Sequence, residues 1–205
     1  MRHRVLTTPY FFDEEANLIN QLFELGLPCL HLRKPKATTA AVAQLLDAID
    51  DKYHYQIILH QDHKLALEYD LLGVHLTEET RTEYIASHSL LEFRDTFAGF
   101  ELGTAIHAVN MLHELPICFD YALVSPVFDS ISKEGYTAQH HWQASDWQDL
   151  PFDIIGLGGM NMETIPLAKQ RGFSEIALLG AVWSLPQQAL QNYKKLCPIL
   201  QEPTP

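Results

Sequence analysis

The chain has 205 residues, 47% hydrophobic and 20% charged, the balance of one ordinary globular domain. Its formal net charge of −12 excludes nucleic-acid binding as the main task, because a phosphate backbone calls for a basic surface. No apolar run reaches the roughly 18 residues of a membrane span, and the N-terminal MRHRVLTTPYFFDEE turns acidic before any long apolar stretch.

Short β-type runs alternate with helical patterns along the whole chain. Residues 4–7 read as a first strand and 14–25 as a helix, with Leu18, Leu22 and Leu25 on its apolar face. Residues 29–32 read as a strand, 38–49 as a helix with Thr38 or Thr39 as N-cap, and 56–59 as the third strand. A short helix at 64–69, a strand at 73–76 and a helix at 78–87 follow. Next come a strand at 100–104, a brief helix at 109–115 and a strand at 121–124. Residues 137–150 read as loop plus weak helix, with Trp142 and Trp147 expected in core or lid packing. The last units are strands at 154–157 and 176–179 and helices at 163–171 and 186–196.

Strands separated by helices imply parallel pairing with both sheet faces covered. Eight such units predict an α/β fold of the (β/α)8 barrel type, one domain over residues 1–200, with 201–205 as a disordered tail. The competing architecture is an open doubly wound sheet, but no GxGxxG follows an early strand. Cys29, Cys118 and Cys197 lie far apart in apolar contexts, which argues against disulfides or a zinc cluster and points to the cytoplasm. Eleven histidines are present, yet none falls in an HExxH or Cys/His ligand spacing.

In a barrel of this kind the functional face lies at the C-terminal ends of the strands. GLGGMN (156–161) and ALLGAVW (177–183) follow the last two strands, where Gly158, Gly159 and Gly180 suit backbone binding of a phosphate. HLRKPK (31–36) places Arg33, Lys34 and Lys36 after the second strand, a guanidinium for bidentate grip with point charges beside it. SPVFDSISKEGY (125–136) adds Ser130, Ser132, Lys133 and Gly135. In LHQDH (59–63), Asp62 beside His60 and His63 reads first as a helix-capping loop and second as a metal ligand. In HLTEET (75–80), Glu78 and Glu79 read first as acids at a helix N-terminus and second as cation ligands. His107 is either a helix-start donor or a group reaching the mouth.

In their order and spacing, several segments together resemble the thiamin-phosphate synthase family, related to the thiazole tautomerases, over essentially the whole length. They are HLRKPK, IILHQDHKLALEYDLLGVHL, GTAIHAV, DYALVSPVFDSISKEG and IIGLGGMNMETIPLAKQRGFSEIALLGAVW. The resemblance implies a barrel enzyme that joins a hydroxymethylpyrimidine pyrophosphate to a thiazole phosphate, with Mg²⁺ and basic residues stabilising the pyrophosphate that leaves. Carried over by position, Arg33 falls on the arginine that contacts pyrophosphate. Ser130, Ser132 and Lys133 fall on the hydroxyl-x-hydroxyl-Lys loop, and Gly158 and Gly159 on the glycines at the thiazole phosphate.

Other positions depart from that pattern. The Asn-Asp after the third strand is His60-Gln61, which leaves Asp62 and Glu79 as the stand-in metal ligands. The lysine two after the arginine is Pro35, with Lys34 and Lys36 as substitutes, and a serine two before His107 is Ala105. The tautomerase histidine falls at Pro126. The expected partners are therefore small phosphorylated heterocycles, not nucleic acid or membrane, and a homo-oligomer is compatible with the sequence. A diverged paralogue that binds or isomerises thiazole phosphate, and a non-enzymatic precursor-binding protein, stay open as alternatives.

Overall fold

The computed structural model of the protein describes residues 1–129 and 141–201. Eight parallel strands close into a barrel: β1 (Arg2–Leu6), β2 (Leu30–Leu32), β3 (Ile57–Leu59), β4 (Gly73–Leu76), β5 (Glu101–Ile106), β6 (Tyr121–Val124), β7 (Asp153–Leu157) and β8 (Glu175–Leu178). Closure is made by β1 against β8, with His3 opposite Ile176 and Val5 opposite Leu178. The outer layer comprises α1 (Glu15–Glu24), α2 (Thr39–Ala48), α3 (Lys64–Glu68), α4 (Glu78–Ala86), α5 (Leu90–Thr96), α6 (Val109–His113), α7 (Thr164–Gln170), α8 (Gly180–Trp183) and α9 (Ala189–Gln201). No described helix is long and apolar enough to cross a membrane.

Alternation along each strand sorts the side chains into two cores. Outward-facing Val5, Leu30, Ile57, Leu59, Val74 and Ile154 pack under the helices. Inward-facing Leu6, Ile58, Leu123, Ile155 and Ala177 fill the barrel around Tyr121, which is fully buried. Gly103 makes room for that ring, since a Cβ there would run into it.

The barrel expectation holds, and the differences are local. Two helices, not one, connect β4 to β5. His88 adopts a left-handed conformation (φ 56°) that ends α4, and α5 then lays Leu90 and Phe93 into the core. The four-residue α8 has no counterpart in the sequence reading, and α9 begins later than residue 186 and runs to Gln201. Of the tail, residues 202–205 lie outside the described residues. Thr38 is the N-cap of α2, its hydroxyl accepting from Ala41 N at 3.2 Å. Trp142 and Trp183 are buried and Trp147 is half-buried against the core, in line with core packing.

Candidate active site

The C-terminal mouth is built by the segments that follow the strands. Arg33 lies just beyond β2, its backbone clamped by Thr7. The Thr7 hydroxyl accepts from Arg33 N at 2.9 Å and donates to Arg33 O at 3.1 Å. The Arg33 side chain is half-buried, and among the described residues its guanidinium makes no hydrogen bond or ion pair. Its charge reaches inward and disfavours protonation of His60 and His75, although burial is the larger cause of both depressed pKa values.

The neighbouring lysines part company. Lys34 Nζ is wholly buried, donating to Thr8 O at 2.9 Å and Tyr10 O at 2.8 Å, with the Glu15 carboxylate 2.6 Å away. It holds the strand-end loops together and cannot reach a ligand. Lys36 is exposed at the rim.

Beyond β3, His60 turns inward, its Nε2 2.9 Å from Nδ1 of His31. Gln61 Oε1 accepts from Lys34 N at 3.2 Å, and its buried Nε2 has no hydrogen-bond partner among the described residues. Asp62 is in a left-handed turn (φ 53°), its carboxylate accepting from Thr39 Oγ1 at 2.8 Å and its carbonyl from Leu65 N at 2.9 Å. It thus helps start α3 and lines an outer groove of about 680 Å³ between α3 and α5. Glu78 and Glu79 fall in the first turn of α4 behind the Thr77 N-cap, where acids complement the helix dipole.

His107 reaches the mouth. Its Nδ1 is 3.0 Å from Ser125 O and 3.1 Å from Ser125 Oγ, and Nε2 is 3.8 Å from Glu78. On the other side, Gly158 (φ 103°) and Gly159 (φ 63°) let the loop after β7 press against residues 126–129. A Cβ on either would strike that backbone. Gly180 opens α8 and is exposed. Ser130, Ser132 and Lys133 lie outside the described residues.

Comparison with known proteins decides the family. The thiamine monophosphate synthase family model matches residues 5–182. The chain belongs to that family. It is 26% identical over 161 residues to a thiamine-phosphate synthase of Bacillus thuringiensis subsp. konkukian, covering 75% of this chain and 68% of the relative. A thiamine-phosphate synthase of Anoxybacillus flavithermus is 28% identical over 137 residues, 63% of this chain and 58% of that one. The crystal structure of thiamine phosphate pyrophosphorylase from Bacteroides thetaiotaomicron superposes with a TM-score of 0.74 at 29% identity, covering 98% of this chain and 100% of that one. The Pyrococcus furiosus thiamine phosphate pyrophosphorylase gives 0.74 at 15% identity, with 98% and 97% covered, a likeness of fold.

Membership in the thiamine monophosphate synthase family implies a magnesium ion, which takes oxygen ligands from carboxylates and substrate phosphates. The described residues do not fit one. The side chain where the family places a carboxylate is the amide of Gln61, and Asp62 is engaged with Thr39 on the outer side. Among the described residues, the His, Cys, Asp and Glu side chains that converge in a group of three are His31, His60 and His75, all nitrogen donors. Among the described residues no cluster of carboxylates stands ready for magnesium.

Sequence reasoning missed three residues that shape the mouth. In the sequence, His31 is no more than part of a basic loop. Arg81 is buried and donates to Thr104 Oγ1 at 2.8 Å and Ala105 O at 2.5 Å, tying α4 to β5. Arg171 donates to Val127 O at 2.9 Å, its guanidinium 4.4 Å from the Phe128 ring centre, and tethers the loop after β6. A period-2 reading of LHL, ILH and VHL would have put His31, His60 and His75 on the inward face; no comparable signal marks the two arginines.

Proposed function

We propose that the protein binds phosphorylated heterocycles at this mouth and joins a hydroxymethylpyrimidine pyrophosphate to a thiazole phosphate, giving thiamin phosphate and pyrophosphate. The observation that carries this reading is the half-buried guanidinium of Arg33, unpaired among the described residues, on a backbone clamped by Thr7. A half-buried cation with no counter-ion among the described residues is ready for an anion.

In the proposed reaction the bond between the pyrimidine methylene carbon and the pyrophosphate oxygen breaks, and its electron pair leaves with pyrophosphate. The thiazole nitrogen lone pair then forms the new C–N bond, and no proton need move. Arg33 stabilises the charge growing on the leaving oxygens, an interaction that strengthens toward the transition state. Lys36 and Lys133 add positive charge for the pyrophosphate. Ser130 and Ser132 position the ligands, and Gly158, Gly159 and Gly180 receive the thiazole phosphate. The three free cysteines accord with action in a reducing cytoplasm.

A second reading, a paralogue that binds thiazole phosphate without condensing it, is favoured by one observation. Gln61, at the position of the expected magnesium carboxylate, and Lys34, a substitute for the expected pyrophosphate lysine, are turned into the structure. Incubating the purified protein with both precursors and resolving thiamin phosphate by chromatography tests the first reading. Product is expected, with Arg33→Ala weakening pyrophosphate binding by roughly 10- to 100-fold, the worth of hydrogen bonds to a charged group. Absence of turnover by folded protein, together with calorimetric binding of thiazole phosphate alone, replaces it with the second.

A further inference from the structure

The barrel interior holds a group of side chains that this reaction does not use. His31 on β2, His60 just past β3 and His75 on β4 point inward from three neighbouring strands. They are respectively 0%, 7% and 2% exposed, and one ligand nitrogen from each lies within 4.8 Å of the other two. We propose that His31, His60 and His75 form a three-imidazole site for a divalent transition ion of the zinc class, with a fourth position left for water or a ligand oxygen.

Geometry carries the inference. Tetrahedral zinc with Zn–N bonds of about 2.0–2.1 Å needs nitrogens about 3.3 Å apart. His31 Nδ1 and His60 Nε2 are 2.9 Å apart, so a separation of a few tenths of an ångström admits an ion between them. The rings of His60 and His75 are stacked with centroids 4.1 Å apart, and a ligand nitrogen of each lies within 4.8 Å of the other. His75 already has an orienting partner, its Nδ1 lying 2.9 Å from the Tyr121 hydroxyl, which leaves Nε2 as the ligand. His60 is the member with the most surface and lies at the strand end, so entry is from the mouth.

Charge beneath the cluster is compatible with a cation. Arg4 is held by Glu175 at 2.6 Å and Glu101 at 2.6 Å, one positive charge against two carboxylates. The nearest positive group is Arg4 itself, whose Nη1 is 3.5 Å from His31 Nε2, at the outer limit of a hydrogen bond, and the charges of Arg33 and Arg81 also reach His75. Ligation through His31 Nδ1 moves that ring's proton to Nε2, so Arg4 Nη1 must turn away from it while Nε and Nη2 keep Glu175 and Glu101. Burial, chiefly, depresses all three imidazole pKa values, His75 to about 3, so the rings are in the neutral form that ligates metals. Nitrogen-only donors select zinc and its first-row neighbours over magnesium.

The site is tested without substrates, so its outcome is independent of the condensation reading. Untagged full-length protein, stripped with a chelator, is titrated with Co²⁺ and followed by visible absorption. The expected result is one equivalent giving the intense bands of a low-coordinate ion, displaced by Zn²⁺ and not by a large excess of Mg²⁺. His60→Gln is expected to weaken Co²⁺ binding at least tenfold, while the exposed His141→Gln leaves it unchanged. X-ray absorption of the zinc-loaded wild type counts the imidazoles directly, whether or not a variant folds, and three are expected. No stoichiometric binding, a shell with fewer than three imidazoles, or full affinity in folded His60→Gln overturns the proposal and leaves the cluster as a hydrogen-bonded core.

Discussion

Burial pulls the pKa of His3 down to about 4, and its Nε2 lies 2.7 Å from the Tyr193 hydroxyl on α9. The unfolded chain, with a histidine near its ordinary value, takes up a proton before the folded one does. Stability from this residue is therefore complete above about pH 6.5 and is lost as pH falls from there through about 4. The loss reaches at most about 2 kcal/mol at pH 5, from 1.36 kcal/mol per pKa unit. Urea unfolding of wild type and His3→Gln between pH 7 and pH 5 checks it, with the variant expected to show the shallower dependence. Single residues are only partly legible in the sequence. Residue type tells which side chains could bind phosphate, but not which way each turns. Among the described residues Arg33 stays unpaired at the mouth, whereas Lys34, one position on, is consumed inside.

That consumption explains how the element after β2 is built. Lys34 joins the β2 loop to α1 through Glu15 and to the β1 loop through Thr8 O and Tyr10 O, with both ionic side chains almost completely buried. Burial pushes the Lys34 pKa down and the Glu15 carboxyl pKa up, the pair between them only partly opposing it, and Glu15 Oε2 has no hydrogen-bond partner. Removing one partner strands the other in a dry site. Lys34→Met is expected to cost about 3–5 kcal/mol, and Lys34→Met with Glu15→Leu to recover most of it. Urea midpoints of the two variants measure this, and equal loss in both would mean the pair itself, not the stranded charge, matters. HLRKPK looks like three cations after a strand, and nothing in the motif reveals that Glu15 waits for the middle one. Of the two helices between β4 and β5, only the first is legible, because the break that separates them is a backbone conformation at His88 and not a Gly or Pro.

At the scale of the molecule, the barrel is legible because eight short apolar runs recur between helical patterns, and parallel strands buried on both faces need that composition. Register is not legible. Which inward residues meet depends on strand stagger, so the convergence of residues 31, 60 and 75 emerges only on closure. The same holds for the charges at the other end of the barrel. Arg4 on β1 reaches Glu175 on the closing strand β8 and Glu101 on β5, across the barrel, with its guanidinium 4.4 Å from the Tyr121 ring centre. One side chain thus ties the closing seam to a strand across the barrel. Arg4→Leu leaves Glu175, 4% exposed, with only the exposed Arg2 at 3.4 Å to face it among the described residues. A stranded buried carboxylate costs about 3–5 kcal/mol. Because β1 and β8 share the seam, their amides should lose hydrogen-exchange protection together with those of β5, while α2 and α3 open only with global unfolding. Loss confined to β1 would show that closure rests on the backbone ladder and the Val5–Leu178 register alone.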